Sequence, residues 1–199
     1  MITAEDRRKI ENGIKEKYKK VAVGPEGNFQ YPTGKAGLKG QSYDPEILNS
    51  LPDNALSSYC GVGNPFTMGL INEGETVLDV GCGAGVDSLV AATMVGPNGE
   101  VVGIDLIPEM LDRAKKNLKR TPFLNVSFEK ASAEDLPFPD ASFDVVISNG
   151  VINLIPDKLK ALKEVHRVLK PFGRLMIADQ VLTVDLPDDA ESMVANWTK

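Results

Sequence analysis

Apolar residues in the central part of the chain follow two alternating patterns. Short apolar runs, typical of buried strands, alternate with longer stretches in which apolar residues recur every three or four positions, typical of helices. The strand-like runs are 76–80, 100–106, 125–129, 143–148 and 174–181, and the helical stretches are 86–95, 108–118 and 157–170. Strands that alternate with helices predict an α/β fold with a doubly wound, mostly parallel sheet, whose ligands bind at the carboxyl ends of the strands.

The amino-terminal region has a different pattern. Thr3 and Asp6 have the spacing of a helix cap, and apolar residues then recur at helical intervals as far as Tyr18. This pattern predicts a first helix that ends at about Lys20. Residues 21–40 are rich in Gly, Pro and Lys and show little periodicity, which predicts an irregular segment, either a lid or a linker.

Composition limits the kind of protein and of ligand. A chain of 199 residues with 42% hydrophobic residues can bury the core of one globular domain. The formal net charge of −6 argues against attraction to nucleic acid or to an anionic membrane, so a small-molecule substrate is the expectation. Cys60 and Cys82 have no zinc or disulfide spacing, and the printed sequence shows neither the apolar core of a signal peptide in its first residues nor an apolar run as long as a membrane span. We therefore expect a cytoplasmic protein without a metal site.

A cluster of glycines follows the first predicted strand and leads directly into a helix. Gly81, Gly83 and Gly85 let the backbone approach a ligand closely, while the start of the helix directs free N–H groups toward it. A dinucleotide-binding turn would need its third glycine at the position of Val86, so a nicotinamide cofactor fits less well.

Two carboxylates flank this turn. Asp79 precedes the glycines, where an acid suits a ligand with a positive amino group and would repel a pyrophosphate. Asp105 ends the second predicted strand, 24 residues after Gly81, where a carboxylate can accept hydrogen bonds from both ribose hydroxyls. Together they predict a nucleoside joined to a cationic amino acid, as in S-adenosylmethionine.

The chain resembles the class I methyltransferases over about residues 45–185. The glycine turn and Asp105 are similar to the first two motifs of that family, segment 133–138 resembles its adenine loop, and 167–173 resembles a later motif in which Phe172 replaces a glycine. The resemblance implies a Rossmann-like fold and places Glu134 near the exocyclic amine of the adenine. The cofactor-binding residues that we expect are Tyr59, Asp79, Gly81, Gly83, Gly85, Asp105, Leu106, Ala133, Glu134 and Asn149.

Segments 61–65 and 148–157 are similar to the arsenite methyltransferase branch of this family. That branch has cysteines that bind the metalloid at the positions of Val62 and Gly150. A soft metalloid needs thiolate ligands, which neither residue supplies. The leading hypothesis is therefore in-line methyl transfer to an unassigned small molecule.

The resemblance also bears on the acceptor and on alternative functions. It implies an acceptor near Tyr59, Asn64, Asn149 and Asn153, and we assign no catalytic residue. Three other hypotheses remain open: an arsenite or metalloid methyltransferase, a nicotinamide-dependent oxidoreductase, and a catalytically silent protein that binds S-adenosylmethionine.

Three regions are expected along the chain. These are an amino-terminal helix with a lid or linker over 1–45, the methyltransferase domain over 46–185, and the start of a carboxyl-terminal extension over 186–199, where 191–199 resembles the opening of a helix. Class I domains end with two further strands, the last of them antiparallel, and these are not evident here. Either a second subunit covers the edge of the sheet in a homodimer, or the chain is truncated.

Overall fold

Five parallel strands form a single sheet in the computed structural model, which describes residues 3–181. Their order is β3-β2-β1-β4-β5. The strands are β1 Thr76–Val80, β2 Glu100–Asp105, β3 Val126–Lys130, β4 Phe143–Asn149 and β5 Leu169–Ala178. The helices are α1 Ala4–Val23, α2 Gly34–Leu38, α3 Pro45–Ser50, α4 Asp53–Leu56, α5 Val86–Val95, α6 Pro108–Leu118 and α7 Lys158–Val168, with 3₁₀ helices at Pro65–Met68 and Ile152–Leu154. The predicted α/β class with a doubly wound parallel sheet is confirmed.

Strand β1 lies at the centre of the sheet and has apolar neighbours on both faces. Val77 packs with α5 and α6 on one face, and Leu78 packs with α7 on the other. Burial on both faces explains why the strand is a continuous apolar run rather than an alternating one. Strand β1 pairs with β2 on one side and with β4 on the other. The strand order therefore runs outward from β1 in both directions, and at such a switch point a crevice forms at the carboxyl ends of the strands.

The prediction of an irregular segment over 21–40 is wrong at both ends. Helix α1 has the predicted capping box at Thr3 but continues to Val23, and a short helix, α2, begins at Gly34. Two glycines of this segment serve close packing: a Cβ would lie 3.1 Å from the carbonyl oxygen of Ser57 at Gly34 and 2.5 Å from that of Pro32 at Gly37. The glycine content predicts an irregular chain, whereas α2 needs these two glycines in order to fit.

The boundary between α7 and β5 differs from the prediction. The sequence pattern predicts a helix to Lys170 and a strand from Arg174 to Val181, but the helix ends at Val168 and the strand extends over Leu169–Ala178. A residue before proline avoids the helical conformation, so Pro171 ends the helix earlier than the apolar pattern indicates.

The buried face of α7 also differs from the one that the apolar spacing of Leu159, Leu162, Val165 and Leu169 predicts. Ala161, Val165 and Val168 are buried, whereas Leu159 and Leu162 are 64% and 37% exposed. Both sets have helical spacing, and the smaller side chains are the ones that lie against the sheet. The apolar pattern therefore identified the helix but not the side that packs.

The described residues 3–181 contain no helix that is long and apolar enough to cross a membrane.

Strand β5 forms one edge of the sheet within the described residues. The predicted extension over 186–199 and its helix lie outside the described residues.

Phe172 occupies a backbone conformation that favours glycine. Its φ is +66°, and its side chain is fully exposed. A left-handed conformation costs a residue with a Cβ roughly 1–2 kcal/mol. We expect Phe172→Gly to raise the free energy of unfolding by about 1 kcal/mol in urea titrations, because glycine removes this strain while its own chain entropy offsets part of the gain.

Phe172→Ala is the matched control. It removes the same exposed ring but keeps the Cβ, so it should leave the stability nearly unchanged. Equal stabilisation by Ala and Gly would show that the ring, rather than the backbone conformation, is the source of the strain.

Candidate functional site

A cavity of about 220 Å³ lies at the carboxyl edge of the sheet and is called the large cavity below. Its walls come from the turn after β1, the ends of β2 and β4, the loop after β3 and one face of α1. A second cavity of about 40 Å³, the small cavity, adjoins it. The two share Cys60, Gly81, Gly83 and Asn149, so they meet at the glycine turn.

The glycine turn, residues 81–85, depends on left-handed backbone conformations. Gly81, Gly83 and Gly85 have φ values of +73°, +53° and +82°. A Cβ on Gly81 would lie 2.3 Å from a methyl carbon of Val151, which leaves no room for a side chain. Gly81 and Gly83 line both cavities, whereas Gly85 lines neither and packs against Phe128. Two of the three predicted glycines thus face the site and the third serves packing.

Asp105 ends β2 and connects that strand to the glycine turn. Its carboxylate accepts hydrogen bonds from the backbone N–H of Gly83 at 2.9 Å and of Ile107 at 2.8 Å. Burial raises the pKa of Asp105 to about 6, although these backbone donors act in the opposite direction. Asp105 and the neighbouring Leu106, both expected to bind the cofactor, line the large cavity.

Asp79 and Asp87 line the small cavity and are nearly inaccessible, with 2% and 8% of their surfaces exposed. Asp79 accepts a hydrogen bond from the Ser88 hydroxyl at 2.5 Å. Burial, followed by the neighbouring charge of Asp87, raises the pKa of Asp79 to about 8. The charged neighbours that affect Asp79 are Asp87 and Asp105, both carboxylates. The small cavity therefore favours a positively charged ligand group.

Glu134 lies at the opposite end of the large cavity and is 7% exposed. It pairs with Arg7 of α1 and accepts a hydrogen bond at 2.9 Å from the backbone N–H of Asp157. Ala133, also predicted as a site residue, lines the cavity next to it.

Helix α1 forms the outer wall of the large cavity. Arg7, Ile14 and Tyr18 contribute to that wall. We had expected a lid or linker in 21–40 and had not assigned α1 to the site. The apolar stripe of α1 predicts that one face of the helix packs against the rest of the protein, but it does not indicate which residues that face contacts.

Tyr59 and Asn149, both predicted site residues, meet at the backbone of Gly63. The Tyr59 hydroxyl donates to the Gly63 carbonyl at 2.7 Å, and the Asn149 side-chain amide donates to the same oxygen at 2.8 Å. Asn64, expected near the acceptor, caps the 3₁₀ helix by accepting from the backbone N–H of Phe66.

Val62 and Gly150 lie side by side. A Cβ on Gly150 would be 3.3 Å from a methyl carbon of Val62 and 3.9 Å from its Cβ. Cys60 lines both cavities, but burial raises the pKa of its thiol to about 12, so it stays protonated at neutral pH. Cys82 is buried.

Comparison with known proteins places these features in a family. A profile described as "Methyltransferase domain" matches residues 71–199. An arsenite methyltransferase of Halobacterium salinarum is 36% identical over 96% of this chain and 52% of its own length. A demethylmenaquinone methyltransferase of Listeria welshimeri is 38% identical over 55% of this chain and 46% of its own.

A solved structure agrees with this similarity. CrArsM, an arsenic(III) S-adenosylmethionine methyltransferase from Chlamydomonas reinhardtii, superimposes with a TM-score of 0.60 at 34% identity. The match covers 79% of this chain and 52% of the other. The chain spans about half the length of each of these three proteins.

The carboxylates of the site predict an unusual pH dependence of stability. The pKa values of Asp79, Asp87 and Asp105 rise from 3.8 to about 8, about 6 and about 6, so the folded protein retains protons that the unfolded chain has lost. Their contribution to stability is complete below about pH 4 and is lost as the pH rises to about 8. We expect the free energy of unfolding of the ligand-free protein to fall across this window.

Asp79→Asn tests the assignment to Asp79, because it keeps the shape and removes the titration. Urea unfolding at a series of pH values should show that this variant lacks the decline between about pH 6 and pH 8. An unchanged decline in the variant would assign it to other groups.

Proposed function

The chain belongs to the family of methyltransferase domains, and from this membership we propose that it transfers a methyl group from S-adenosylmethionine to a small-molecule acceptor. The observation that carries the proposal is the left-handed glycine turn between two carboxylates. Gly81 and Gly83 line both cavities, and the carboxyl groups of Asp79 and Asp105 each line one of them. These features suit a ligand with ribose hydroxyls at one end and an ammonium group at the other.

The large cavity suits the adenosine portion of this donor. We propose that Asp105 accepts hydrogen bonds from the ribose hydroxyls, and that Leu106 and Ala133 contact the adenine ring. Glu134 would accept a hydrogen bond from the exocyclic amine. A carboxylate can accept about four hydrogen bonds, and Arg7 and the Asp157 N–H account for only two at Glu134.

The small cavity suits the amino-acid portion of the donor. Asp79 lines this cavity, and an ammonium group beside it would lower its pKa and favour its ionised form. Tyr59 and Asn149 would border the sulfonium, since Asn149 lines both cavities where they meet. Gly85 supports this arrangement through packing.

The reaction requires mainly alignment and exclusion of water. When bound, S-adenosylmethionine supplies a methyl group already activated by its sulfonium. Asp105 and Glu134 would hold one end of the donor and Asp79 the other, and Asn149 with segment 61–63 would border the acceptor. Helix α1 covers the large cavity and limits the access of water.

Metalloid methylation is the second candidate, favoured by the arsenite methyltransferase relatives. The site residues argue against it, because Val62 and Gly150 offer no thiolate and Cys60 remains a thiol at neutral pH. The likeness to the demethylmenaquinone enzyme supports a small organic acceptor instead. The cytoplasmic location and a homodimer through the β5 edge remain predictions.

Donor binding is the direct test of this proposal. S-adenosylhomocysteine at about 100 times its Kd should stabilise the protein by about 2.7 kcal/mol, whereas NAD should have no effect. Asp105→Asn should weaken this binding at least about tenfold in calorimetry, because it removes charge-assisted hydrogen bonds to the ribose. Asp112→Asn, an identical change on the exposed surface of α6, serves as the control.

Three outcomes would contradict the proposal. The absence of S-adenosylmethionine and S-adenosylhomocysteine binding by the wild-type protein would remove the methyltransferase assignment. A shift with NAD alone would favour the oxidoreductase alternative. Donor binding without turnover across thiol, amine and hydroquinone acceptors would favour the silent binding protein.

Arsenite binding separates the two methyltransferase candidates. We expect no binding to the wild-type protein and measurable binding to Val62→Cys/Gly150→Cys, because the Cβ separation of 3.9 Å brings two thiols together. Val62→Cys alone is the control and should bind weakly. Tight binding by the wild-type protein that Cys60→Ser abolishes would restore the metalloid hypothesis.

A further inference from the structure

Asp87 joins three parts of the chain that are distant in sequence. It lies in the first turn of α5 and is 8% exposed. The Tyr43 hydroxyl donates to its Oδ1 at 2.6 Å, and the Asn149 side-chain amide donates to its Oδ2 at 2.9 Å. Asp87 therefore fixes the end of β4 and the segment after α2 relative to the glycine turn.

Hydrogen bonds at both the oxygen and the nitrogen of the Asn149 side-chain amide define its orientation. Its Oδ1 accepts from the backbone N–H groups of Val62 at 2.8 Å and Gly63 at 3.2 Å, while its Nδ2 donates to the Gly63 carbonyl at 2.8 Å and to Asp87. A flipped amide would place an oxygen against two acceptors and an amine against two donors. Asp87 is thus one of the two acceptors that require the observed orientation.

Segment 61–63 has little freedom to move away from this amide. A Cβ on Gly61 would lie 2.4 Å from Asn149 Nδ2, so the backbone approaches the amide as closely as a glycine permits. The hydroxyls of Tyr43 and Tyr59 lie 3.1 and 2.7 Å from the Gly63 carbonyl oxygen. The position of this segment follows from the position of Asn149.

We infer that Asp87 is a positioning residue, which acts through Asn149 to hold segment 61–63 against the amino-acid end of the methyl donor. This inference rests on the proposed function. Asp87 meets Asn149 at the small cavity, which suits that end of the donor, while the adenosine portion lies toward Asp105 and Glu134 in the large cavity. Loss of Asp87 should therefore affect the two portions of the donor unequally.

The ionised form of Asp87 is the one that accepts both hydrogen bonds. Burial raises its pKa to about 6, and the donors Tyr43 and Asn149 lower it. Around Asp87, the titratable groups are Asp79 on β1 and Tyr43, Tyr59 and Cys60 on the segments that precede β1. Removal of the Tyr43 hydroxyl should raise the pKa of Asp87 further.

Two ligands that differ only at the amino-acid end test the inference. S-adenosylhomocysteine carries the amino-acid portion, and 5′-methylthioadenosine lacks it. In calorimetry at pH 7.5, Asp87→Asn should weaken S-adenosylhomocysteine binding about tenfold and change 5′-methylthioadenosine binding less than about twofold. A general disturbance of the fold would weaken both ligands equally and would overturn the inference. Asp112→Asn again serves as the control.

A double-mutant cycle tests whether Asp87 acts through Asn149. If it does, Asp87→Asn/Asn149→Ala should bind S-adenosylhomocysteine no more weakly than Asn149→Ala alone. Fully additive losses would show that Asp87 acts independently, which would overturn the positioning role.

Tyr43→Phe provides a milder variant in case Asp87→Asn does not fold. The pH midpoint of S-adenosylhomocysteine binding should move upward in this variant, because Asp87 loses a donor that stabilises its charge. Tyr31→Phe is the matched control, since the Tyr31 hydroxyl donates to the Cys60 carbonyl instead. An unchanged midpoint in Tyr43→Phe would contradict the inference.

The two proposals fail in different ways. If the wild-type protein binds neither ligand, the proposed function is wrong. If the wild-type protein binds both and Asp87→Asn behaves like Asp112→Asn, the positioning role alone is wrong.

Discussion

The left-handed glycine turn after β1 is the constraint on which the site depends. Its φ values exclude ordinary side chains, and the absence of a Cβ at Gly81 lets Val151, at the end of β4, approach the turn. The turn also brings the backbone N–H of Gly83 to Asp105, which connects β1 to β2. Both cavities open at this point, between two diverging strands, so the geometry of one tight bend determines where a ligand can bind.

Burial dominates the electrostatics at this bend. It raises the pKa of Asp79, Asp87 and Asp105, and the charges of Asp87 and Asp105 raise that of Asp79 further. Ionising these groups at neutral pH therefore costs free energy, which the folded chain avoids at Asp79 by retaining its proton. Under the proposed function, the ammonium group of the donor would lower the pKa of Asp79 and offset part of this cost.

Local patterns in the sequence predicted the strands, the order of elements and the glycine turn, since each depends on neighbouring residues. Long-range contacts were not predictable in the same way. Arg7 and Glu134 lie 127 positions apart, and nothing near either one indicates the other. The contact of Tyr43 with Asp87 depends on how α2 and its neighbours fold back over α5. For α7, two apolar stripes of helical spacing compete, and only the shape of the sheet selects the one with Ala161.

Backbone contacts hold positions 62 and 150 next to each other. Asn149 accepts hydrogen bonds from the backbone N–H groups of Val62 and Gly63, and the Gly150 N–H donates to the Ala178 carbonyl at 2.8 Å. None of these contacts involves the side chain of Val62, so another side chain at position 62 would keep them. Position 150 is more restricted, because its φ of +72° favours glycine. Similarity to arsenite methyltransferases can therefore coexist with Val62 in place of a cysteine, since the backbone makes the contacts that hold segment 61–63.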